Sequence, residues 1–150
     1  MNRVAVLVPL SVGCIAIACT IVIHGAALAA NLRFLRHERA LGRIGVRVWI
    51  DLMIVAVALM LALVAHLIEI GLWAVLLVLF GEFQAFDLAF YHSAMNYTSL
   101  GYGDIVMSPA WKMLGPIEAV DGLLMFGVST AMVFAVIQLL VRTRFPDLRP

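Results

Sequence analysis

The sequence predicts an all-α membrane protein: three transmembrane helices, with a short helix and a glycine-rich loop set between the second and the third. Three observations carry this. Of 150 residues, 65% are hydrophobic and only 13% charged, more apolar surface than a soluble domain of this size can bury. The apolar residues fall in long unbroken runs, and a helix satisfies its own backbone inside lipid. The few charges gather in separate patches; with a formal net charge of +1, nothing favours a nucleic-acid partner.

The first apolar run extends from Val4 to about Ala30, long enough to cross a bilayer. Cys14 and Cys19 both lie in it. Five positions apart, they face different sides of a helix, so packed or lipid-facing thiols are expected rather than a disulfide. Arg33, Arg36, Arg39, Arg43 and Arg47 follow. Ala27-Leu28-Ala29 has the small-residue form of a signal-peptide cleavage site. Cleavage there would send the arginines outward, so the uncleaved reading is adopted. The three-residue spacing of Arg33, Arg36 and Arg39 is that of a voltage-sensing helix. His37 and Glu38 interrupt it and no apolar run encloses it, so a solvated linker is expected.

A second apolar stretch runs from Val48 to Phe80, broken by Asp51, His66, Glu69 and Gly71. As one helix it would be roughly 50 Å long against about 30 Å of hydrocarbon, so it must tilt, break near Gly71 or project. A short amphipathic stretch from Phe86 to Tyr97 is too short to span. Pro109 and Pro116 mark the return, with Pro116 expected as the first residue of a last helix reaching about Val141. Arg142, Arg144 and Arg149 form a basic tail. The chain thus divides into residues 1–47 (N-terminal helix and basic linker), 48–141 (the central unit) and 142–150 (a tail too short for a ligand-binding gating domain).

Thr98-Ser99-Leu100-Gly101-Tyr102-Gly103-Asp104 is the most specific string in the chain. Glycines at alternate positions let a backbone take φ > 0 at every second residue, which turns successive carbonyls toward one axis. Stacked carbonyls can replace the water shell of a K⁺ ion. The string resembles the selectivity filter of the tetrameric potassium-channel family, usually Thr-Val-Gly-Tyr-Gly followed by Asp. The resemblance covers roughly residues 88–138.

That resemblance implies a re-entrant pore helix at Phe86–Tyr97 and a pore domain at 48–141. It also implies K⁺ sites from the carbonyls of Ser99, Leu100, Gly101 and Tyr102 with the Ser99 hydroxyl. Gly101 and Gly103 would permit the backbone geometry, Tyr102 would point away and brace the loop, and Asp104 would sit at the outer mouth. Ser99 stands where the family has Thr, and Leu100 where it has a β-branched residue, so a less tightly held loop is expected. Gly122 and Gly127 fall where the family's inner helix has a gating hinge; close helix approach is the other role for such small residues.

His66 and Glu69 share one face of an apolar stretch: an intramembrane polar pair for proton sensing or an ion path, or else a pair in mutual hydrogen bonding or exposed at the outer interface. Glu118 and Asp121 are expected at the outer interface or buried as a pair behind the filter. His24 and His92 should be packed or interfacial, without ligand partners, and Ser129 and Thr130 should line a cavity or bond back to their helix. No nucleophile with base and orienter, phosphate loop or metal-ligand cluster appears, so neither enzyme activity nor a cofactor beyond carried K⁺ is expected.

The functional expectation is a K⁺ channel subunit acting as a homotetramer in the cell membrane. A non-conducting or regulatory protein retaining the pore fold is the alternative. A transporter subunit, expected as four repeats in one long chain, fits less well. Arginines on the cytoplasmic side place the N-terminus and the loop with Glu82, Asp87 and Asp104 outside, and the C-terminus in the cytoplasm.

Overall fold

A computed structural model describes residues 4–145 of the chain, which are helical apart from their connections. The expected tail beyond Phe145, with Arg149, and the first three residues lie outside the described part. The elements run α1 (Val4–Ala40), α2 (Val48–Leu79), α3 (Phe86–Tyr97) and α4 (Leu114–Arg144). Three of them, α1, α2 and α4, are long and apolar enough to cross a membrane. The protein is therefore a multi-pass membrane protein.

Three details differ from the sequence expectation. α1 does not stop near Ala30 but continues to Ala40, so Arg33, Arg36 and Arg39 project from a helix rather than a linker. Arginine is a good helix former, and the next strong breaker in the sequence is Gly42, at φ +64°. α2 neither breaks nor kinks out of helix at Gly71; its 32 residues form one rod of roughly 48 Å. α4 begins at Leu114, which makes Pro116 its third residue rather than its first. The first-turn N–H groups have no intrahelical acceptor, so proline is still tolerated there.

α2 and α4 each pack on the other three helices, while α1 and α3 each contact both of them. Two apolar clusters hold the bundle. Ala16, Trp73, Leu77, Tyr97, Leu114 and Met125 belong to one; Ile44, Ile54, Ala58, Val136 and Leu140 form the other. Along α2 the order is Ile54 to Trp73, and along α4 it is Met125 to Leu140, so these helices run antiparallel. His66, Glu69 and Ser129 fall between the clusters in both sequences.

The ends of the bundle are distinct. At one, Asp51 Oδ2 lies 2.9 Å from an Arg144 guanidinium nitrogen and Asp51 Oδ1 accepts the Gly45 N–H at 3.0 Å. The basic connection 41–47 and the end of α4 therefore share this pole. At the other, the Phe80 and Trp111 rings stack with centroids 4.4 Å apart. Glu82 also accepts from the Ser108 N–H and hydroxyl, at 2.8 and 2.6 Å. The whole segment between α2 and α4 thus leaves and returns at one place.

Candidate functional site

The loop after α3 carries the backbone alternation that its glycines permit. Ser99, Gly101 and Gly103 have φ of +58°, +53° and +71°, with Leu100 and Tyr102 between them in ordinary conformations. A flip at every second residue turns consecutive carbonyls to a common side. The loop is anchored to α3 at its base, where the Ser99 N–H donates to Asn96 O at 2.8 Å and the Gly101 N–H to Met95 O at 3.1 Å. Ser99 is the unexpected member: it alone among the described non-glycine residues has positive φ.

The side chains of this loop find little cover within one protomer. Leu100 is 52% exposed and Tyr102 68%, so Tyr102 does not brace the loop from within its own chain. Asp104 accepts a hydrogen bond from the Tyr91 hydroxyl at 2.9 Å, and that bond raises the phenol pKa above its usual value. Behind the loop a cavity of about 600 Å³ is lined by Asn96, Asp104, Met107, Lys112 and Pro116 among others.

α4 meets the end of α3 at Gly122. A Cβ placed there would lie 1.9 Å from the Tyr97 carbonyl oxygen, whereas one at Gly127 would meet nothing within 4 Å. α4 is continuous through both glycines. Close approach explains Gly122 in this structure; Gly127 has no such constraint.

Behind the loop lies a buried polar network that joins all four helices. His66 Nδ1 lies 3.2 Å from Glu69 Oε2, the mutual pairing expected of these two. Tyr97 donates a short hydrogen bond to the same oxygen. His24, expected to lack a partner, lies with Nδ1 2.9 Å from Glu69 Oε1. Ser129 Oγ is 3.0 Å from His24 Nε2 and 3.1 Å from His66 Nε2. Neither bond of Ser129 goes back to its own helix, so the alternative of a serine bonded only to its own backbone does not hold.

A second buried carboxylate closes the other side. Asp121 accepts from the Thr20 hydroxyl and the Trp73 indole N–H, both at 2.9 Å. Glu118 is fully buried as well, with the Asn96 amide 3.4 Å from Oε2, so burial behind the loop rather than an interfacial place describes it. His92 is packed, its ring 5.0 Å from that of Phe83. Cys14 and Cys19 are exposed free thiols.

His24, Thr20 and Trp73 were the members that spacing could not find, because their partners are 45, 101 and 48 positions away. The available signal was the one that singled out His66: a polar side chain inside an apolar run.

The ion channel family model matches residues 64–139, just over half the chain. The chain belongs to the ion channel family. No curated protein and no solved structure matches it. In this ion channel the matched stretch runs from mid-α2 to α4 and holds α3, the glycine-rich loop, Glu69 and Ser129. His24 and Thr20 of α1 lie outside it, yet both bond to residues within.

Proposed function

We propose that the chain is one subunit of a homotetrameric, K⁺-selective channel that conducts passively through the cell membrane. In this reading α3 is a re-entrant pore helix and the string from Thr98 to Asp104 is the selectivity filter. The carbonyls of Ser99, Leu100, Gly101 and Tyr102, with the Ser99 hydroxyl, coordinate K⁺; Gly103 completes the backbone turn and Asp104 lines the outer mouth. The observation that carries the proposal is the alternation of positive φ at Ser99, Gly101 and Gly103. Such an alternation supports the reading, because a dehydrated K⁺ requires successive carbonyls turned to one axis.

A single loop surrounds nothing, so closed rotational symmetry must supply the rest of each carbonyl ring. The exposure of Leu100 and Tyr102 supports this, since neighbouring subunits would cover them. The basic pole at Asp51 and Arg144 faces the cytoplasm under the positive-inside rule. That places the N-terminus and the loop outside and the C-terminus inside. K⁺ is cargo here, not a cofactor.

Liposome flux with purified protein tests the reading. K⁺ and Rb⁺ should pass much better than Na⁺, through a particle of four chains. Equal K⁺ and Na⁺ flux, or a stable dimer of single-loop chains, refutes it.

A further inference from the structure

The contacts around Glu69 form a closed ring: Glu69 Oε1 to His24 Nδ1, His24 Nε2 to Ser129, Ser129 to His66 Nε2, and His66 Nδ1 to Glu69 Oε2. All four are 2.9–3.2 Å long. Four such contacts require four protons. Two neutral imidazoles and one hydroxyl supply three, and the Tyr97 proton is already directed at Glu69 Oε2. With Glu69 ionised, the ring lacks one positive centre. It would also bury an uncompensated carboxylate, since Glu69 is 0% exposed.

We propose that this ring is a binding site for one divalent transition-metal ion of the Zn²⁺ type, held by His24, His66 and Glu69. The three residues offer ligand atoms within 4.8 Å of one another. Each imidazole Nδ1 faces its own oxygen of Glu69, at 2.9 and 3.2 Å, so an ion with bonds of about 2.0 Å would lie between the two rings and the carboxylate. The Tyr97 hydroxyl, which donates to Glu69 Oε2 and lies 3.3 Å from His66 Nδ1, orients the carboxylate, and the fourth position of a tetrahedral centre is left for water.

Metal at this centre would take both Nδ1 lone pairs, leaving a proton on each Nε2. Both Nε2–H groups would then donate to Ser129 Oγ, which has two lone pairs to accept them. Both nitrogens of each imidazole are then used. Ligating imidazoles generally give their other N–H to an oxygen in this way.

The donor set also selects the ion. Two imidazole nitrogens and one carboxylate suit Zn²⁺ and its first-row neighbours, whereas K⁺, Mg²⁺ and Ca²⁺ favour all-oxygen sites. The site is therefore distinct from the filter and does not depend on its K⁺ selectivity. His66 and Ser129 also line a mostly apolar cleft of about 470 Å³ between α2 and α4, so the ring sits at the edge of the helix packing rather than sealed inside it. An ion here would tie α1 to α2 directly, and to α3 and α4 through Tyr97 and Ser129.

The test uses tag-free full-length protein with Cys14 and Cys19 replaced by Ser, stripped with chelator and titrated with Co²⁺ and Zn²⁺. Expected are one Co²⁺ per chain with the visible absorption of a tetrahedral centre, its displacement by Zn²⁺, and a metal-dependent rise in thermal stability. Glu69→Gln should lower affinity at least 100-fold, and Ser129→Ala by 10- to 100-fold. X-ray absorption on the Zn²⁺-loaded protein needs no ligand variant. It should show two imidazoles and oxygen at about 2.0–2.1 Å. An all-oxygen shell, no binding, or affinity unchanged in both variants overturns the site. So does stabilisation by mild acid alone with no metal effect, which would mean that a proton completes the ring.

Discussion

The carbonyl oxygen of Tyr97 occupies the space that a side chain at position 122 would need: a Cβ on Gly122 would sit 1.9 Å from it. The last turn of α3, which aims the glycine-rich loop, thus rests directly on the backbone of α4. Backbone on both sides leaves no flexible group to yield. Gly122→Ala must push α4 away from α3 and should cost about 2 kcal/mol or more. Gly127→Ala has open space and should be neutral or stabilising by about 0.5–1 kcal/mol. Thermal melts of the two variants check this; equal melting temperatures would refute the close-packing role of Gly122.

Ser99 tests the ion-coordinating role of the loop. Ser99→Ala removes one hydroxyl per chain, so Ba²⁺ block at the innermost site should weaken. The carbonyls above remain, and the preference for K⁺ over Na⁺ should persist. The positive φ at Ser99 changes what is expected of Ser99→Thr. Threonine restores the usual family residue, but a β-branched side chain is ill suited to φ > 0. The strain should be about 1 kcal/mol or more per chain. Single-channel recording should show shorter open times for Thr. Unchanged Ba²⁺ block in Ala with lost conduction in Thr would remove Ser99 from the filter.

The proposed membrane orientation rests on the basic pole and is open to direct labelling. With Cys14 and Cys19 replaced, a cysteine at Asn2 should react with an impermeant thiol reagent in intact cells, and one at Leu41 should not. The reverse pattern inverts the topology.

Asp51 joins two segments by accepting from both Gly45 and Arg144. Asp51→Asn keeps an oxygen for the Gly45 N–H and loses the charge facing Arg144. A loss of about 1 kcal/mol is expected, because the pair is still partly open to water. The deficit should shrink as salt screens the pair, and melts at low and high ionic strength measure it. A deficit insensitive to salt would mean that the charge is not what matters there.

The helices were legible because the bilayer demands long apolar runs, and α3 was legible as far as its ends, Phe86 and Tyr97. The boundaries that failed did so for identifiable reasons. Hydropathy drops at Leu32–Arg33, but helical hydrogen bonding does not depend on hydropathy, so α1 continued to Ala40. Gly71 reads as a break in isolation; packed within α2 it merely omits a side chain. The loop string could be recognised because its glycine pattern is written in consecutive residues. The Glu69 network is assembled from four helices. Only its His66–Glu69 segment repeats at helical spacing, so His24, Tyr97 and Ser129 could be joined to it only by folding.

The two bonds from α1, Thr20 to Asp121 and His24 to Glu69, bear on modularity. The stretch matched by the family begins at residue 64, as if it were a unit that could be excised from what precedes it. In this protein the cut would strip a hydroxyl from one buried carboxylate and an imidazole from another, leaving both facing lipid. The N-terminal helix is thus not an appendage of the matched stretch but part of the core of the bundle. Shortened versions of this chain, or grafts of the matched stretch onto another N-terminal helix, must carry α1 along or replace Asp121 and Glu69 with apolar residues.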